Sequence, residues 1–465
     1  MRRFLTRSGW VVFLAALLVH GAFVVTVVNR VPGPDKEVPP LPPLLWIFND
    51  AVHRLGPGAD FFALYHAAVE MERGGDIYTW NPDGVTPFFY GYRYLPAFVQ
   101  AAGPFFRLFG PWEAYLIWLH LLVGLVVLDL FLVRRLFGNG PHLPWLMALW
   151  LVYTPLWLEL YMGQFTFLAA SLVMAAGTLL ATGKPRGALV AWFASAAVKM
   201  FTLVLLPMWW RLRLFVPALA VVGVLSLVNL PAFVRHPGYW SAFVFQNVGE
   251  APFNALHSGN FGFVYFLRLV GWEGLGLDPT LWFPYVSRFQ IAFLAIATLA
   301  VALARRPPAL AMIAFLVLAH QLSYFHVWEH HYTLLLPLGT FLLFLLRGRR
   351  APTAVTAAAM VLLAIPTPLA LWDIRDPGLW DPTTGWPVLQ RIALPASKAL
   401  PALALFGVSG FLCLEGGVSW PWRGRIESAS PGGPPEKAAG GGDQPPGLSG
   451  LGSARPVAFR CDSAN

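Results

Sequence analysis

Apolar residues in this chain gather in long unbroken runs rather than at the alternating or one-sided positions of a soluble fold. Runs lie at 10 to 28, 113 to 133, 143 to 161, 165 to 182, 213 to 231, 285 to 304, 308 to 325, 331 to 346, 352 to 371 and 395 to 413. A hydrocarbon core of ~30 Å calls for ~20 apolar residues per helix, so each run is read as a crossing. Ten crossings make an all-α polytopic membrane protein, since a lipid-facing backbone must satisfy its own hydrogen bonds. The stretch 94 to 110 is also apolar, but Pro96 and Pro104 break it, and it is expected to lie along the interface.

Composition agrees with the pattern. The chain has 465 residues, 57% hydrophobic and only 12% charged, against ~25% charged for soluble domains. A soluble enzyme is excluded. The net charge of +9 could suggest a nucleic-acid partner, but the positions of the charges point elsewhere. Arg2, Arg3 and Arg7, Arg134 and Arg135, Lys184 and Arg186, Arg211 and Arg213, Arg305 and Arg306, and Arg347, Arg349 and Arg350 form acid-free clusters between apolar runs. Such clusters mark cytoplasmic loops, so no nucleic acid is expected and both termini are expected in the cytoplasm, with the plasma (inner) membrane as the expected location.

One run does not fit a simple crossing. Residues 187 to 210 sit between two basic clusters, with Lys199 at their middle. A straight crossing would place one cluster outside and invert every later loop. A re-entrant hairpin with Lys199 at its deep turn keeps both clusters inside, and is permitted where protein or a water-filled cavity covers its backbone.

The first helix is read as uncleaved, because its apolar stretch is long and no small-residue cleavage site closes it. Residues 1–413 then form one integral-membrane domain, and 414–465 a Gly/Pro-rich cytoplasmic tail expected to be disordered. Cys413 and Cys461 both fall on the cytoplasmic side, so no structural disulfide is expected.

Polar residues outside the basic clusters fall on the outer side: Asp60, the segment Tyr90 to Tyr94, Gln164, Asn254 to Asn260, Glu329 with His330 and His331, and Asp373. A reactive centre is therefore expected to face away from the cytoplasm, where a transfer reaction needs a donor already in the bilayer. Asp60 has two readings: an N-cap of the following helix, or a general base at the membrane surface. Lys199 is an intramembrane cation, paired either with a buried acid or with a lipid phosphate. His326, Glu329 and His330 have the H-x-x-E-H spacing of an inverted zinc-protease signature, but at a membrane boundary they read as interfacial groups or phosphate and sugar contacts. Neither metal nor cofactor is expected. Tyr90, Tyr92, Tyr94 and Trp80 suit either a sugar platform or the interfacial aromatic belt.

Five stretches in order, DFFALYHAAVEMERGGDIY, MGQFTFLAASLVMA, AAVKMFTLVLLPMWWRLR, HSGNFGFVYFLRL and EHHYTLLLPL, span about residues 60 to 340. This order resembles glycosyltransferase family 87, the polyprenyl-phosphate-sugar-dependent enzymes of the GT-C superfamily that include bacterial α-1,2-mannosyltransferases. The chain departs from the family pattern at FFYGYRYLPAF, where a Tyr-Pro-Pro element is usual, and at Met200, where Pro commonly follows the Lys.

The resemblance implies a GT-C-like fold and an active site of outer-side loops. It implies a hexosyltransferase, most simply for mannose, moving sugar from a polyprenyl-phosphate donor to a glycolipid or glycan acceptor with inversion. Asp60 would be the catalytic base, with Lys199, His330 and His331 at the donor phosphate and Tyr94, Gln164, Asn260 and Glu329 around the substrates. A transporter or flippase of lipid-linked sugars would use the same cavity without a base, and a scaffold protein would need neither Asp60 nor Lys199.

Overall fold

The computed structural model describes residues 2–32, 38–40, 42–45, 48, 56–79, 84–88, 91–249, 259–366 and 386–417. Among them there are helices and no β-strand. Trp80, Tyr90, Asn254, Asp373 and the tail beyond 417 lie outside the described residues.

Five helices are long and apolar enough to cross a membrane, and a sixth if one bent pair counts as a span. They are α1 (Arg2–Arg30), α4 (Pro111–Phe137), α10 (Phe215–Arg235), α13 (Pro279–Leu303) and α17 (Val388–Leu414). The stretch between α1 and α4 supplies two shorter helices: α2 (Ala59–Arg73) and α3 (Pro96–Phe106). As expected from its prolines, α3 has only 11 residues. The bent pair is α5 (Leu143–Leu151) and α6 (Thr154–Met162), meeting at 41°. Pro155 cannot donate an N–H at this joint. The Leu151 carbonyl instead accepts from Trp157 Nε1 at 2.7 Å and meets His20 Nδ1 at 2.9 Å.

The other runs expected to cross form shorter apolar helices. These are α7 (Thr166–Ala181), α14 (Ala309–Ser323), α15 (Leu335–Leu345, after a 3-10 turn over Glu329–Leu334) and α16 (Arg350–Ala364). At ~1.5 Å per residue, fifteen residues reach ~22 Å, short of a full hydrocarbon core. α14 and α15 are buried along nearly their whole length, at the centre of the bundle.

The outer helices show the opposite burial. Only 17% of the apolar window of α13 is buried, and 22% in each of α1 and α10. Leu18, Val216 and Ile291 are each at least 75% exposed. So many large apolar side chains facing outward from several long helices form a surface suited to lipid and costly in water. The protein is a helical, multi-pass membrane protein.

The expected doubling back at Lys199 is present. α8 (Pro185–Val198) ends at Lys199, and the chain returns through a 3-10 turn (Met200–Leu205) into α9 (Leu206–Arg211). Trp192 Nε1 donates to Thr202 O at 2.7 Å, and the Trp192 and Trp209 rings lie 5.4 Å apart, so the chain turns back after Lys199. α8 also runs back along α7: Ser195 Oγ donates to Ala169 O at 3.0 Å, and Lys199 arrives beside Thr166 at the head of α7. At the far end of the hairpin, Arg211 Nη2 donates to Ala304 O at 2.5 Å, joining the basic cluster at 211 to the one that follows α13. Arg213 and Arg306, just past these helix ends, both take positive φ, 60° and 48°. The remaining described α-helices are α11 (Pro237–Val244) and α12 (Phe263–Leu269).

Candidate active site

The site forms where helix α2 lands on the corner between α6 and α7. Gly58, with φ 76°, donates its N–H to Tyr161 O at 2.8 Å. A Cβ at Gly58 would meet the Tyr115 ring at 2.8 Å, and one at Gly163, with φ 66°, would meet the Phe61 Cβ at 2.7 Å. Both glycines are therefore required twice, for backbone conformation and for close approach. Tyr115 Oη lies within hydrogen-bond distance of Leu160 O and Tyr161 O, and Trp118 Nε1 donates to Gly163 O, so these three carbonyls around the end of α6 have partners.

This joint sets Asp60 in the first turn of α2, where the helix N-terminus favours an anion. It is not the N-cap, contrary to the simpler of its two sequence readings. The cap position is Gly58, which has no side chain to offer, and Asp60 makes no capping bond. Asp60 Oδ2 is shielded from solvent and has no hydrogen-bond partner. Burial pushes the carboxyl up to about 6, although Lys199, Arg93 and a hydrogen bond from Gln164 each pull it down. A carboxylate poised near 6, with one oxygen unengaged, has the properties of a general base.

Gln164 is the hub of the site. Its Oε1 accepts from Tyr94 Oη at 2.6 Å and from Phe165 N at 2.8 Å, and its Nε2 lies 3.3 Å from His330 Nε2. An amide donating to His330 Nε2 leaves the His330 proton on Nδ1. His331 takes the other tautomer: its Nδ1 accepts from Trp328 N at 3.1 Å, so the proton is on Nε2. The two rings are 4.4 Å apart, and Lys199 and Arg93 both act electrostatically on His331. Lys199 Nζ donates to Thr166 Oγ1 at 2.6 Å and sits 5.7 Å from the centre of the Tyr94 ring. Asp60, Tyr94, Gln164, Lys199, His330 and His331 are thus one cluster, drawn from α2, the segment before α3, the α6–α7 corner, the hairpin turn and the 329–334 turn.

Two expected substrate residues are engaged elsewhere. Asn260 is fully buried; its Oδ1 accepts from Gly262 N and Val327 N, and its Nδ2 donates to Phe325 O. It is a clamp between two chain segments, with its acceptor spent on backbone. Glu329 pairs with Lys398 on α17, at 3.0 Å between Oε1 and Nζ, with both side chains almost wholly buried. Lys398 Nζ also donates to Leu363 O and Ile365 O at the end of α16, so the Glu329 pair anchors the histidine turn. Among the described residues, no three His, Cys, Asp or Glu side chains are grouped to hold a metal ion. The H-x-x-E-H spacing therefore does not produce a ligand set there.

Two further groups belong to the site and were not singled out in the sequence: Arg93, acting on Asp60 and Lys199, and Glu159 on α6, acting on the same pair. The signal for Glu159 was available, an acid inside an apolar run, which by default marks function or pairing.

No protein-family model matches the chain, and no curated protein matches it in sequence. The functional reading therefore rests on the geometry of the site and on the ordered motifs of the chain.

Proposed function

We propose that the protein is an inverting membrane hexosyltransferase that takes its sugar, most simply mannose, from a polyprenyl-phosphate donor and passes it to a lipid or glycan hydroxyl on the outer face. The observation that carries the reading is the pairing of opposite requirements within one cluster. Asp60 offers a shielded carboxylate oxygen free of hydrogen bonds, while Lys199, Arg93 and the His331 Nε2–H offer a positive, donor-rich surface beside it. A transfer from a sugar phosphate needs both: a base for the acceptor and an electrostatic seat for the leaving phosphate. In the reaction, Asp60 removes the acceptor hydroxyl proton and the oxygen attacks the anomeric carbon. The bond from that carbon to the phosphate oxygen breaks, its electron pair leaves on the lipid phosphate, and the configuration inverts.

The ten apolar runs, the hairpin and the placement of the basic clusters support a GT-C-like arrangement of ten crossings plus one re-entrant hairpin, with both termini cytoplasmic. In that orientation the cluster around Asp60 lies toward the side where lipid-linked sugars are displayed. The test is incubation of the purified protein with polyprenyl-phosphate hexoses and a panel of membrane glycolipids, followed by mass spectrometry. The expected result is an acceptor heavier by one hexose; donor consumption without any glycosylated product, or no reaction across the panel, would contradict it.

A further inference from the structure

Arg268 on α12 is only 9% exposed, yet among the described residues no carboxylate pairs with it. Its Nη2 donates to Ser287 Oγ on α13 at 3.2 Å, and its guanidinium carbon lies 5.2 Å from the centre of the Phe283 ring. Nε is shielded from solvent and has no hydrogen-bond partner. A guanidinium carries five N–H donors, so one hydroxyl and one ring face leave most of its donors unused and its charge without a counter-ion. Arginine is rarely buried in that condition, because removing its charge from water without a partner is costly. The acid nearest in sequence is engaged elsewhere. Glu273, on the π-helical turn Val270–Gly274 that follows α12, lies 3.0 Å from Arg391 Nη2 on α17.

The contacts with Phe283 and Ser287 set the guanidinium beside the first half of α13. From Ser287 to Leu303 that helix rises ~24 Å at ~1.5 Å per residue. Arg268 therefore lies near the end of the span opposite the basic cluster at Arg305 and Arg306, close to headgroup depth for a core of ~30 Å. The surface there has the make-up of a membrane interface: Trp272, Tyr285 and Phe289 are exposed, and the exposed Arg288 stands over the Tyr285 ring at 5.6 Å. We propose that the Arg268 guanidinium is a seat for the phosphate of a membrane phospholipid, reached from the lipid-facing side of α13. Ser287 Oγ gives its own proton to Phe283 O at 3.0 Å and accepts from Arg268, so it orients the guanidinium rather than binding the anion. The remaining N–H groups match two phosphate oxygens in parallel, the geometry in which arginine binds this group most strongly. A lipid source fits better than a soluble one because only 17% of the apolar window of α13 is buried, leaving a surface for the acyl chains of the same molecule. The site does not depend on the sugar-transfer reading.

The test uses the full chain, purified and delipidated in detergent, with dihexanoyl phosphatidylglycerol as probe and, as the other arms, dihexanoylglycerol and inorganic phosphate. Binding is read by native mass spectrometry and by the shift in melting temperature, for the wild type, Arg268→Met and Arg288→Gln. The wild type is expected to bind the phospholipid saturably and to melt higher with it than with dihexanoylglycerol, since a ligand held only by the folded state stabilises it. Arg268→Met should bind about tenfold more weakly, through loss of a charge-assisted, two-pronged contact, while Arg288→Gln binds as the wild type does. Undiminished binding in Arg268→Met, or an equal loss in both variants, would assign retention to the general charge of the surface and overturn the inference. Inorganic phosphate competing on equal terms with the phospholipid would overturn the lipid assignment. Should Arg268→Met not fold, the wild type decides alone: equal melting temperatures with phosphatidylglycerol and with dihexanoylglycerol would overturn the site.

Discussion

Asp60 has two properties that pull in opposite directions. Its carboxyl is held up near 6 by burial, so the folded state prefers it neutral, whereas the proposed chemistry needs it ionised. A carboxyl raised in this way favours folding fully below its unfolded value of ~3.9, and that contribution is lost as pH rises through about 6. Asp60→Asn is therefore expected to melt no lower than the wild type at neutral pH, by thermal unfolding in detergent, while losing turnover. A melting point well below wild type would show that the charge supports the fold. In the wild type, kcat/KM should fall as pH drops through about 6, where the base becomes protonated, and a profile flat from pH 5 to 7 would exclude Asp60 as the titrating base. At this scale Asp60, Lys199, Gln164, Tyr94 and the two histidines were legible because each is a polar residue beside an apolar run. Asn260 and Glu329 carried the same signal yet serve the fold, since sequence does not reveal which buried polar group has already found a partner. Lys398 is the clearest loss: the partner of Glu329 lies 69 positions away in a helix that reads only as a crossing.

Two joints between elements decide whether the cluster assembles. One is the contact of α2 with the α6–α7 corner, made through Gly58 and Gly163. Gly163→Ala, with φ 66° and a Phe61 Cβ at 2.7 Å, is expected to destabilise by about 1–3 kcal/mol and to lower turnover by shifting Asp60. Wild-type melting and activity would show that the joint yields freely. The other joint is the Lys398–Glu329 pair pinning the histidine turn to α17 and α16. Lys398→Met removes the cation from beside a buried carboxylate and should cost about 3–5 kcal/mol, whereas combining it with Glu329→Leu should recover much of that loss. Equal melting points for the single and double variants would remove the pair from the stability account. The turn at Lys199 was legible from charge, since a chain that turns back there can keep two basic clusters on one side. The bend between α5 and α6 was not foreseen: a single run at 143 to 161 gives no sign that Pro155 turns the chain by 41°.

Across the whole molecule, the embedding follows from where apolar surface faces outward, and the proposed orientation rests on where basic residues sit. Cysteines introduced at positions 186, 213 and 306 are expected to resist impermeant reagents added from outside. Labelling at 213 but not at 186 would replace the hairpin with a full crossing and invert the later loops. The central claim is that Asp60 is the base of a sugar transfer whose donor is seated by Lys199 and its neighbours. The most direct measurement is a single turnover at neutral pH. Protein is preloaded with saturating labelled polyprenyl-phosphate hexose, mixed with glycolipid acceptor, and sampled for glycosylated product in wild type and Asp60→Asn. The wild type should transfer, and Asp60→Asn should bind the donor as well yet transfer about 10²–10⁴-fold more slowly. Transfer by Asp60→Asn at close to the wild-type rate would contradict the account.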